Sequence, residues 1–80
     1  EISTLRYWLA SRNVTQEELG RRVGCSKVHI GRIADGSPRV SIILAFKIFD
    51  ETGIKVGPLA TATNSDIPVL RRIHGVSVAA

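Results

Sequence analysis

Eighty residues make one small domain, with 11 Lys or Arg against 7 Asp or Glu and a formal charge of +4, a balance that points to an anionic partner. No apolar run approaches the roughly 18–20 residues of a membrane helix, no charged-then-apolar leader marks a signal peptide, and a single cysteine excludes an internal disulfide. The expectation is a soluble, cytoplasmic chain with no membrane partner, and the absence of methionine, position 1 included, points to a trimmed chain or a fragment.

In chain order, a first helix is predicted from about Thr4 to Ser11, with Ser3 as its cap and Leu5, Trp8 and Leu9 on one apolar face. Asn13 breaks the pattern. Thr15-Gln-Glu-Glu18 is a capping box: the Thr15 hydroxyl accepts from the Glu18 N–H, and the Glu18 carboxylate reaches back to Thr15. Leu19 and Val23 face the core of this second helix, and Gly24 supplies a turn at positive φ. Ser26 caps a third helix from Lys27 to about Ala34, with Val28, Ile30 and Ile33 as its apolar members. Asp35-Gly36 ends it and Ser37-Pro38 extends the turn. Ser41 caps a fourth helix reaching Thr52, stopped by Gly53, and a short fifth begins at Pro58. Residues 61–65 read as a linker of small polar residues. Asp66 to His74 can form one more helix, with Ile67, Leu70 and Ile73 on one side. A helix this short is marginal alone, so it is either docked or disordered.

The fold class is therefore all-α: a compact bundle of four to five short helices over residues 1–62, then a tail over 63–80. Residues 15–36 fit a helix-turn-helix, two helices packed steeply across a tight turn. Gly20 is the small residue where the helices cross. Gly24 is the turn residue. Leu19, Val23, Cys25, Ile30 and Ile33 fill the angle, which leaves Lys27, Val28, Gly31 and Arg32 facing outward. A plain helical hairpin in an interaction module is the blander reading of the same residues. The charge agrees with the sharper one: residues 1–39 hold seven Lys or Arg against four Asp or Glu, and residues 40–80 hold four against three.

The run Thr15-Gln-Glu-Glu-Leu-Gly-Arg-Arg-Val-Gly-Cys-Ser, followed by Ile30, Arg32-Ile33 and Asp35-Gly36, resembles the lambda-repressor-like, Cro-type (XRE-type) helix-turn-helix regulators. Val40 to Gly53 resembles that family's fourth helix and Val56 to Leu59 its short fifth, so the resemblance covers about residues 3–62. Gly20 stands where the family usually has Ala, at a cost of about 1 kcal/mol in helix propensity, and Gly31 removes one potential base contact.

The resemblance implies a sequence-specific regulator of transcription, expected to be a repressor, that binds double-stranded DNA. Lys27, Val28 and Arg32 would contact bases, Val28 through a thymine methyl and Arg32 bidentately through guanine. Gln16, Ser26, His29, Arg39 and Arg12 would meet phosphates. Arg21 and Arg22 read as a solvated helix face, and Cys25 as a small buried hydrophobe.

The fourth helix is apolar nearly all round, with Ile42, Phe46 and Phe49 on one stripe and Val40, Leu44 and Ile48 on another. Such a helix must be covered on two sides, one by the core and the other by a second subunit or by the tail (Ile67, Val69, Leu70). Ile42, Phe46 and Phe49 are thus the expected dimer or tail contacts. A homodimer is favoured because the family commonly binds two-fold sites. The alternative function is an antitoxin or protein-interaction adaptor that meets a protein partner through residues 63–80. No cofactor is expected. Nothing suggests an enzyme or a metal site: the sequence shows no nucleophile beside a base, no ligand cluster and no glycine-rich phosphate loop.

Overall fold

The computed structural model describes residues 5–37 and 39–76, and within them the chain is all-helical, as its patterning predicts. Five α-helices follow in order: α1 (Leu5–Arg12), α2 (Gln16–Val23), α3 (Lys27–Ala34), α4 (Ile42–Thr52) and α5 (Asp66–His74), with one 3₁₀ turn (Gly57–Leu59) between the last two. None is long and apolar enough to cross a membrane.

Local chemistry explains most of the boundaries. Leu5 and Leu9, one turn apart, are the buried face of α1, and Asn13 leaves it at a φ of 56°. Its expected cap Ser3, and Thr4, lie outside the described residues. Thr15, Ser26 and Ser41 each accept a bond from the N–H three residues on, at 3.0, 3.1 and 3.1 Å, satisfying donors that the first turn leaves over. The reciprocal half of the predicted box at Thr15 is replaced. The Glu18 carboxylate is held by Arg21 and by Arg22 at 3.0 Å, and charge-assisted bonds outcompete a return to a neutral backbone N–H. Arg22 also reaches Glu51 of α4 at 3.6 Å.

The fifth predicted helix is a single 3₁₀ turn that opens at Gly57 rather than Pro58. Gly57 has a φ of +53°, and a Cβ there would stand 2.7 Å from that of Val40, so both backbone conformation and space require glycine. Thr63, in the stretch 61–65 read as a linker, forms with Asp66 a reciprocal pair of the capping-box kind at the entry to α5. The Asp66 N–H donates to Thr63 Oγ1 at 3.2 Å, and the Thr63 N–H donates to Asp66 Oδ2 at 3.1 Å.

The core runs from Leu5 and Leu9 through Leu19, Ile30, Phe46 and Leu59 to Ile67. Helix α5 is docked. Ile67 is buried, the Arg71 guanidinium lies 4.8 Å from the centroid of the Phe46 ring, and the same guanidinium is bonded twice to the Asp50 carboxylate. The second face of α4 is therefore covered by the tail at Phe46, which has no exposed surface. Of the two covers expected for this residue, a second subunit or the tail, the structure places the tail's Arg71 over the ring. Ile42 and Phe49 are half-buried and pack against the same core. Val69, one of the tail residues expected to cover α4, instead points to solvent at 46% exposure, as does Ile73 at 68%.

The side chains of Arg71 and Asp50 are only 11% and 19% exposed, so each would be costly to leave alone. Asp50→Ala is expected to lower stability by about 1.5 kcal/mol and to speed hydrogen exchange in α5 more than in α2. Unchanged exchange in α5 would mean that the ion pair does not hold the helix down.

Candidate nucleic-acid interface

The two helices of the motif meet where a side chain is least affordable. A Cβ on Gly20 would lie 2.5 Å from the carbonyl oxygen of Cys25 and 3.4 Å from the backbone of Ser26, so the crossing is closed by bare backbone. The Gly20 carbonyl accepts from both Gly24 and Cys25, at 2.7 and 2.8 Å, and Gly24 turns at a φ of 82°. Leu19, Val23, Ile30 and Ile33 are buried in the angle. Cys25 packs against them half-buried, and that burial raises its thiol pKa, which keeps it protonated and suits the role of a small hydrophobe.

Anchored in this way, α3 presents one face outward. Lys27, Val28 and Arg32 are exposed, Val28 at 62%, and an apolar side chain held that far into solvent suits contact with another apolar group. Among the described residues Lys27 and Arg32 hold no carboxylate. Arg6, Arg21, Arg22 and Arg71 do: they pair with Asp35, Glu18, Glu18 and Asp50. The cations of the outward face thus keep their charge for another molecule.

The remaining sequence-predicted residues differ in exposure and in what holds them. Ser26 is exposed at the start of α3. Its oxygen accepts from the His29 N–H, which leaves the hydroxyl proton to donate. His29 is half-buried and Arg39 exposed, with the Arg39 N–H steadied by Ser37 Oγ at 3.3 Å. Arg12 lies 5.7 Å from the centroid of the Trp8 ring on α1, a cation–π contact that orients it without neutralising it. Gln16 opens α2 and lies against α3 at Gly31. The bridge from Arg6 of α1 to Asp35 at the end of α3 was not foreseen. The two residues are 29 apart in sequence, and no local pattern connects them. Among the described residues no group of His, Cys, Asp or Glu could hold a metal ion.

Comparison with known proteins agrees with this geometry. A family model described as Helix-turn-helix matches residues 5–59. The chain is 40% identical over 52 residues to an uncharacterized HTH-type transcriptional regulator of the archaeon Methanocaldococcus jannaschii, an alignment covering 65% of this chain and 79% of that protein. No solved structure matches the chain.

Proposed function

Because this chain belongs to the helix-turn-helix family, in its lambda-repressor-like branch, we propose that it regulates transcription by laying α3 in the major groove of specific duplex sites. The observation that carries this reading is the outward face of α3, where Lys27, Val28 and Arg32 stand exposed and, among the described residues, unpaired on a helix fixed by the Gly20 crossing. Arg32 reads guanine through its two-pronged guanidinium, Val28 touches a thymine methyl, and Lys27 stands at the mouth of the groove. Ser26, His29, Arg39 and Arg12 meet the flanking phosphates and set the register. Repression follows from occupancy: a domain seated on its operator excludes other proteins from it.

Two copies on a two-fold site is the stoichiometry that the family resemblance favours, with half-site centres about 34–36 Å apart. With Phe46 sealed, a second copy would meet the apolar side chains that α4 and α5 leave exposed, namely Ile43, Val69 and Ile73.

A duplex titration across a salt series tests the reading. Each phosphate neutralised by a cation adds about 0.9 to the slope of log K against log salt, so a slope steeper than about −2 per bound chain is expected. Binding indifferent to salt would contradict the assignment of this face to DNA and favour an apolar protein partner instead. Sedimentation of the same mixtures should show two chains per duplex; a single chain would remove the dimer.

A further inference from the structure

Among the residues that the resemblance assigns to a phosphate, Gln16 has a geometry of its own. It is half-buried at the first position of α2, and its amide lies across α3. A Cβ built on Gly31 would stand 2.9 Å from Gln16 Oε1, 3.6 Å from Cδ and 3.8 Å from Nε2. No hydrogen bond within the described residues engages that amide. Gly31 itself is one helical turn beyond Lys27, three residues past Val28 and next to Arg32, so it belongs to the outward face of α3. The missing side chain leaves a notch in that face, and the Gln16 amide fills it.

We propose that Gln16 and Gly31 form one reading unit, in which the amide of Gln16 takes the place of a side chain at position 31 and contacts an adenine edge in the major groove. An amide offers a donor and an acceptor side by side, and adenine presents the matching acceptor and donor at N7 and N6. A phosphate, which only accepts, would engage the NH2 group alone and leave the Oε1 atom to solvent. The adenine edge satisfies both. Glycine at 31 is then a requirement of the site, since any larger residue must push the amide aside. The inference rests on the assignment of α3 to the major groove.

The test is duplex selection from a random library by the full chain and by Gln16→Ala, Gln16→Glu and Gly31→Ala, with circular dichroism to check folding. The parent motif should contain one adenine position in each half-site, and Gln16→Ala should reduce the preference there by about tenfold or more while the rest of the motif persists. Gln16→Glu should turn that preference toward cytosine, whose N4 amino group only donates. Gly31→Ala, which raises helix propensity and so folds, should erode the same position because its Cβ displaces the amide.

A parent that enriches a clear motif, with Gln16→Ala weakening all duplexes equally and leaving the motif intact, would make Gln16 a phosphate contact and overturn the proposal alone. A parent that enriches no motif would overturn the assignment of α3, and this proposal with it.

Discussion

Phe46→Lys unfolds the domain rather than splitting a dimer. The ring has no solvent exposure and sits in the middle of α4 (Ile42–Thr52), beneath the Arg71 guanidinium of α5. Removing a buried phenyl group costs about 3–5 kcal/mol in its own right. An 80-residue chain at the usual 0.05–0.15 kcal/mol per residue has only about 4–12 in total. Lysine does worse than a cavity: it carries an ammonium into an apolar site, beside a guanidinium already committed to Asp50, and converts a cation–π attraction into repulsion. The expected result is loss of helical circular dichroism near room temperature. A folded, monomeric Phe46→Lys protein that has lost only self-association would contradict the burial and return this residue to a subunit interface.

Arg32→Ala should leave the fold intact and flatten sequence preference at one position in each half-site. The side chain is exposed and makes no ion pair or hydrogen bond among the described residues, so removing it leaves no group stranded. A bidentate contact between arginine and guanine is worth roughly 1–3 kcal/mol of discrimination, about 5- to 150-fold in relative affinity. Affinity for unrelated duplexes should change little by comparison, since the other phosphate contacts remain. Competition binding with single-base variants of the selected site measures this. Equal discrimination by parent and variant would remove Arg32 from the reading surface.

The parts of this fold legible in the sequence are those decided within a few residues. Thr15, Ser26 and Ser41 announce helix starts because a side-chain oxygen reaches only the N–H groups of the next turn. Gly24 and Gly53 announce helix ends because a positive φ strains other residues. The reading of residues 61–65 as linker overlooked a Thr-x-x-Asp pattern of the same kind.

What the pattern could not decide was competition and long range. Glu18 could return to Thr15 or bind the arginines that follow, and two guanidinium groups prevailed. Whether the tail or a partner covers Phe46 depended on an ion pair spanning 21 residues. The outward set of Lys27, Val28, Gly31 and Arg32 was legible because helical periodicity places it opposite Ile30 and Ile33. The occupation of the gap at Gly31 by a side chain from another helix was not.

The most direct test of the central claim, that the α3 face reads specific duplex DNA, is selection from a random duplex library followed by titration of the winners against scrambled controls across a salt series. The expected result is a two-fold or pseudo-two-fold motif with half-sites about one helical turn apart, bound far more tightly than scrambled duplexes and weakening steeply as salt rises. A library that yields no motif, with weak binding equal for every duplex and lost at moderate salt, would contradict the claim.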